Sequence, residues 1–379
     1  MTLVHPESSP SWAALLLAGA LNLALSCPAL AQLRIGQPSG FSGAAAAGVK
    51  ENADGAALYF DAVNARGGIN GEKIELISVD DQFDPKLTVD KARQLITEQH
   101  VLALFLNRGT PHAQALLPLL AQYQVPLVGP SSGAMALHNP VNPWLFNVRA
   151  TYQREAAAAI EHLASAGITQ VAVLQTDDAF GADGMIGAQH GFAKTKHKPV
   201  LLEKFPRDHP DFGLLAAKVA KSEAQAILIL GSAGSTAQAV TALRTAGSRA
   251  KVVTLSNNAS DGFIKLLGPN ARGVIVTQVF PNERAVKYAF IKEAQTLAKA
   301  KGLSGVTPAM LEGFAAAKVL VEGLRRAGAK PTGASLRDAL EAMNGFDLGG
   351  LSISYSPASH SGLDFADISI IDASGKFMR

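Results

Sequence analysis

The sequence predicts an α/β protein made of two doubly wound, Rossmann-like lobes joined by a hinge that the chain crosses three times. Three observations carry this expectation. Short apolar runs rich in β-branched residues alternate with stretches of helical periodicity from residue 32 to about 280. The alternation divides near Thr151 into two blocks, each the size of one open parallel sheet with helices on both faces. After Phe280 the chain turns helical, and helices without strands between them must cover a sheet that already exists. The length of 379 residues suits two domains with ample core.

The first block offers strands at 33–37, 73–80, 101–106 and 125–129. Between them lie helical stretches at 52–65, 88–99 and 113–122, the first with its apolar stripe on Ala56, Tyr59, Phe60 and Val63. The second block offers strands at 170–175, 199–205, 226–230, 251–255 and 273–279, with helices at 155–166, 182–193 and 236–246. The tail reads as helices at 284–301, 310–328 and 334–343, then strands at 351–355 and 366–371. This pattern assigns residues 32–148 and 281–345 to an N-terminal lobe, and 149–280 and 346–379 to a C-terminal lobe. The hinge crossings then fall near Arg149, Phe280 and Gly345. Ligands of open α/β sheets sit in the crevice beyond the carboxyl ends of the strands.

The N-terminus reads as a leader. An apolar run at 12–25 precedes Cys27-Pro28-Ala29-Leu30-Ala31-Gln32, an A-x-A cleavage pattern, so residues 1–31 form the expected signal peptide although Met1 to Ser11 hold no Lys or Arg. Cleavage after Ala31 removes the single cysteine, and with it any disulfide or thiolate chemistry. No later run reaches the 18 or so apolar residues of a membrane span, so the expectation is a soluble exported chain in the periplasm. Lys+Arg number 34 against 31 Asp+Glu, a formal +3 without any basic run, which argues against a nucleic-acid partner.

Candidate chemistry lies at strand ends. Thr110-Pro111 after the third strand reads as a helix start, Thr at the N-cap and Pro at the first helical position, where free amides attract a carboxylate. Gly129-Pro130-Ser131-Ser132-Gly133-Ala134, after the next strand, brings hydroxyls and backbone groups to the same crevice. The same run fits G-x-S-x-G, so a serine hydrolase with Ser131 as nucleophile must be weighed. An elbow needs a helix directly after the Ser, and Pro140 and Pro143 make that segment a poor helix. Nine histidines show no paired metal spacing, and Asp80-Asp81 and Asp177-Asp178 read as solvated turn or cap residues. No metal and no cofactor are expected. Phe180 can stack on a ligand from the second lobe, and 231–234 and 256–260 supply small polar residues to a rim.

These residues resemble a known family. Ile35 to Gly43, then Gly55-Ala56 through the Asn64-Ala65-Arg66-Gly67-Gly68-Ile69-Asn70-Gly71 run to Leu76, with Asp80-Asp81 and Asp84-Pro85, resemble the type I periplasmic binding proteins of ABC importers, in the leucine/isoleucine/valine-binding branch. Val125-Pro126 with Pro130-Ser131, Asp178 with Phe180-Gly181, and Arg244 to Gly247 extend the likeness over the whole mature chain. The resemblance implies a monomeric receptor, not an enzyme, that closes on a small solute and delivers it to a membrane permease. A ligand-sensing receptor of the same fold is the alternative. It further implies that Thr110, Ser131, Ser132 and Ala134 hold an α-carboxylate and help hold an ammonium, and that Phe180 is the second lobe's aromatic. Where amino-acid binders place an acidic partner for the ammonium, this chain has Asn257 and Asn258, so either Asp177 or Asp178 takes that role or the ligand has no ammonium. The family's other aromatics fall on 44–47 and near Ala309 or Met310, which implies a roomier pocket open to a larger or aromatic carboxylate.

Overall fold

The computed structural model describes residues 1–3 and 32–379. The expected leader, its cleavage site and Cys27 lie outside the described residues. The chain builds two α/β lobes, each around its own parallel sheet.

The first sheet has the order β2-β1-β3-β4-β5 and is parallel throughout. Its strands are β1 (Gln32–Ser39), β2 (Lys73–Asp80), β3 (Ala103–Phe105), β4 (Leu127–Val128) and β5 (Leu145–Phe146). Helices α1 (Ala46–Ala65), α2 (Pro85–Thr97) and α3 (Thr110–Tyr123) connect the first four. Helix α2 starts where Asp84 accepts the Lys86 N–H and Pro85 occupies the first turn. The cap expected at Thr110 lies one residue earlier: Gly109, at φ 103°, is the N-cap of α3 and Thr110 is already helical. Only a residue without Cβ accepts that backbone angle cheaply, which releases the Thr110 hydroxyl for another partner.

The second sheet is seven-stranded, β14-β13-β10-β9-β8-β6-β7. Its parallel part is β6 (Val171–Thr176), β7 (Leu201–Phe205), β8 (Ala226–Leu230), β9 (Lys251–Thr254) and β10 (Ile275–Gln278). Helices α4 (Tyr152–Ser165), α5 (Ala179–Thr195), α6 (Phe212–Ala220), α7 (Ala233–Thr245) and α8 (Asp261–Leu267) cover it. Strands β13 (Asp367–Ile371) and β14 (Phe377–Met378) add an antiparallel edge. Helices α6 and α8 went unread in the sequence. Yet α6 carries its signal openly, Asp211 as N-cap and Phe212, Leu215, Ala216 and Val219 buried at helical spacing.

The tail returns to the first sheet. Helices α9 (Ala289–Ala300), α10 (Pro308–Arg326) and α11 (Gly333–Glu341) share one core with α1, β1 and β3. Helices α1 and α10 touch backbone to backbone: a Cβ on Gly55 would lie 1.9 Å from the Met310 carbonyl oxygen, and one on Gly313 would lie 1.8 Å from that of Asn52. Any side chain at either position forces the helices apart. The boundary expected at Gly345 moves. The hairpin β11 (Phe346–Asp347) and β12 (Ser352–Ile353) forms its own two-stranded sheet, and Leu348, Ile353, Tyr355 and Leu363 are buried in the first lobe's core. The chain rejoins the second sheet only after Leu363, because those apolar side chains find their cover under the tail helices. A further cluster runs from the other face of the first sheet, at Leu104 and Leu127, and the α3 residues Leu116 and Leu120, through Tyr152 and Phe180 to Leu228 and Val253 of the second sheet.

Candidate functional site

The carboxyl ends of both sheets face each other across a narrow cavity that is partly open to solvent. From the first lobe come Ala45, Phe83, Arg108, Gly109 and Thr110; from the second lobe and its approach come Tyr152, Thr176, Phe180, Arg207, Ser232, Ser235 and Asn257. Each lies at or just beyond a strand's end, where a right-handed βα unit turns its loop to the crevice.

Phe83 is placed by strain and by two carboxylates. Gln82 and Phe83 both adopt left-handed backbone, φ 54° and 60°. Asp80 accepts the Gln82 N–H at 2.9 Å, and Asp81 accepts the Phe83 N–H at 2.9 Å and the Thr88 hydroxyl at 2.6 Å. Asp81 is buried rather than solvated, and that burial pushes its carboxyl up to about 6. The Phe83 ring stacks on His112 at 4.4 Å and lies 4.9 Å from the Arg207 guanidinium across the cleft. Burial holds His112 down to about 4.

Arg108 is the centre of the arrangement. Leu106 at φ 51° and Gly109 at φ 103° bend the loop after β3, and the buried Asn107 side chain ties it to the Pro38 carbonyl at 2.8 Å. Arg108 is only 6% exposed, and its guanidinium donates to Ser131 Oγ at 3.0 Å and to the Asn257 carbonyl of the other lobe. No carboxylate of the described residues lies within ion-pair distance of it. A buried cation without an anion is costly, so the cavity is electrostatically unfinished.

The residues singled out in the sequence divide. Thr110, Phe180 and Asn257 line the cavity. Ser131, Ser132 and Ala134 do not, because the Arg108 side chain lies over their loop. Ser131 Oγ accepts from Arg108 and from Asn52 at 3.3 Å; Ser132 Oγ meets Thr110 Oγ1 at 2.9 Å and accepts the Ala134 N–H at 3.4 Å. The hydrolase elbow fails as well, since the segment after Ser131 runs extended into a single 3-10 turn at Met135–Leu137 and no histidine is hydrogen-bonded to its hydroxyl. Ala309 and Met310 lie off the cavity: Met310 packs against α1 in the first lobe's core, and the Ala309 N–H donates to the Ala259 carbonyl of the second lobe at 3.0 Å. Asp178 caps α5 through the Gly181 N–H and pairs with Arg207, while Asp177 faces solvent beside Lys204.

Phe83, Arg108, Arg207 and Tyr152 were not assigned to the site from sequence. Arg207 stands two residues past β7, and a cation just beyond a strand end is the signal that could have found it. Tyr152 packs edge-on to Phe180 at 4.9 Å, with burial raising its hydroxyl pKa. Arg149, by contrast, braces the first crossing. It is 1% exposed, paired with Glu155, 2.8 Å from Ser256 Oγ and 4.5 Å from the Tyr152 ring. Glu155 in turn accepts from the Ser256 N–H and the Thr277 hydroxyl. A third bridge joins the lobes at Glu51 of α1, whose carboxylate accepts the N–H groups of Asp261 and Gly262 at the start of α8 and the Thr307 hydroxyl. Burial raises its pKa.

Among the described residues no cluster of three or more His, Cys, Asp or Glu could hold a metal ion, and no helix is long and apolar enough to cross a membrane.

Comparison with known proteins places these features. Residues 32–365 match the family model described as periplasmic binding protein. An amino acid binding protein of Pseudomonas aeruginosa is 26% identical over 213 residues, covering 55% of this chain and 56% of that one. The match therefore spans little more than half of that relative's length. A Leu/Ile/Val-binding protein homologue of Brucella melitensis is 24% identical over 330 residues, 85% of this chain and 86% of the relative. The crystal structure of a substrate-binding periplasmic protein from Ralstonia solanacearum superposes with TM-score 0.84 at 30% identity, covering 92% of this chain and 99% of that one.

Proposed function

The chain belongs to the periplasmic binding protein family, as a binding protein of the leucine/isoleucine/valine type and not an enzyme, and from that premise we propose that it is the exported solute receptor of an ABC importer. It captures an amino acid or another small organic carboxylate between its lobes and presents the closed form to a membrane permease. One observation carries the ligand class: Arg108, nearly buried in the cavity and without a carboxylate partner. A ligand carboxylate supplies the missing anion, with the Thr110 hydroxyl within the same wall and the aromatic faces of Phe83, Tyr152 and Phe180 around the rest of the solute.

Closing the lobes removes water from the guanidinium and strengthens its attraction to the bound anion, so ligand and closure favour each other. Thermal-shift screening of the purified protein against amino acids, aromatic acids and dicarboxylates tests this. A ligand at about 100 times its Kd stabilises the native state by about 2.7 kcal/mol, a shift of a few degrees in Tm. Silence across all small carboxylates and amino acids would sink the proposal. Uptake of the bound solute into cells, lost when the gene is deleted, separates transport from sensing.

A further inference from the structure

We infer that the solute this cavity takes is a carboxylate without an ammonium group, an acid that bears hydrogen or hydroxyl where an amino acid carries its α-ammonium. The inference rests on the receptor proposal above and narrows it.

The charged side chains on the cavity wall are Arg108 and Arg207, and no Asp or Glu joins them. Arg207 is balanced by Asp178, whereas Arg108 has no carboxylate within ion-pair distance among the described residues. The wall thus carries one uncompensated positive charge, which matches a monoanion. A zwitterion would satisfy Arg108 and then bury an ammonium of its own beside two guanidinium groups. Of the carboxylates around the crevice, Asp178 is committed to the Gly181 N–H and Arg207, Asp177 to Lys204 at the surface and Glu155 to Arg149, Ser256 and Thr277, while Glu312, buried 4.0 Å from Arg149, acts on Tyr152 but does not line the cavity.

Asn257 reinforces the point. Its Nδ2 donates to the Gly231 carbonyl at 3.0 Å and to Asn258 Oδ1 at 3.1 Å, while its Oδ1 is buried without a partner. One neutral acceptor, on a residue whose carbonyl already binds Arg108, satisfies a single hydroxyl. It leaves an ammonium with its charge and its other hydrogens unmatched.

Calorimetric titration of the purified protein with two isosteric series decides the matter. The first is L-phenylalanine, phenyllactate and 3-phenylpropanoate; the second is L-leucine, 2-hydroxy-4-methylpentanoate and 4-methylpentanoate. The expected result is that in at least one series the hydroxy or unsubstituted acid binds at least tenfold tighter than its amino acid, and that Asn257→Asp narrows or reverses the order. An amino acid that binds as tightly as its ammonium-free analogues overturns the inference and leaves the receptor proposal standing. If neither series binds, and no other small carboxylate or amino acid does, the carboxylate receptor itself is wrong and the inference falls with it.

Discussion

Two arginines, Arg108 and Arg149, are each almost fully buried near the meeting of the lobes, and their surroundings are opposite. Arg149 has Glu155 against it and Glu312 at 4.0 Å, and its network ties the first crossing to β10 and to the turn after β9. Arg108 has a serine hydroxyl and a backbone carbonyl but no carboxylate. The same side chain is finished structure in one place and an open valence in the other. The difference teaches that burial of a charge does not identify a site; burial without a counter-ion beside a cavity does.

The largest effect should come from breaking the finished pair. Arg149→Met strands Glu155 and Glu312 in the interior, and urea denaturation should register a loss of about 3–5 kcal/mol. Adding Glu155→Gln should recover part of it, and a single variant as stable as wild type would end the comparison. Arg108→Met should behave in the opposite sense. It removes a charge that nothing balances, so stability without ligand should stay within about 1 kcal/mol of wild type or rise, while affinity for the solute falls on the order of 100-fold. Equal loss of stability in both variants would show that Arg108 is structural too.

Acid sharpens the contrast, because a buried histidine attends each arginine's surroundings. His112 stacks on Phe83 at the cavity, where Asp84, Asp178 and Arg207 also act on it, and His138 feels the Arg149 charge. Burial holds both near 4, below the 6.5 of an unfolded chain. The stability they contribute is complete above pH 6.5 and is lost as pH falls toward 4. Asp81 runs the other way: with its pKa raised from 3.8 to about 6, its contribution is complete below 3.8 and lost as pH rises through 6. Two groups against one predict that these three together remove on the order of 3 kcal/mol between pH 7 and 4.5. His112→Phe combined with His138→Gln should flatten that limb of the denaturation profile; an unchanged limb would show that other groups dominate.

The smallest effect belongs to the bridge made without arginine. Glu51→Gln keeps the size of the side chain and one acceptor but weakens two bonds to the amides of α8, at a cost of about 1 kcal/mol. Hydrogen exchange at the Asp261 and Gly262 amides should quicken. No change there would place the bridge outside the energetics of closure.

Much of the fold is legible in the sequence. The runs at 73–80 and 226–230 appear as β2 and β8 with the same limits, since apolar β-branched residues there are punctuated by Gly71 and Gly231. Strand β5 is two residues long, too short for any period, and the hairpin at 346–353 declares itself only through the tail helices that cover it. The site is legible in the same uneven way. Thr110, Phe180 and Asn257 stand where topology alone delivers a residue to the crevice. Ser131, Ser132 and Ala134 stand there too, but whether Arg108 swings over them is a matter of side-chain packing that no spacing records. Phe83 depends on two consecutive left-handed residues held by Asp80 and the buried Asp81, a conformation invisible to periodicity.

The contact between α1 and α10 at Gly55 and Gly313 also orders events in time. The strands of the first sheet are complete by Phe146, yet the helix seated against α1 is not finished until Arg326. A chain emerging from its N-terminus, whether from a ribosome or through a membrane pore, therefore offers a sheet with one apolar face uncovered for most of its length. The second sheet's parallel strands can pair while the first still waits for its cover. The first lobe to be synthesised stays half-covered until α10 is available, and the second keeps its antiparallel edge open until Met378.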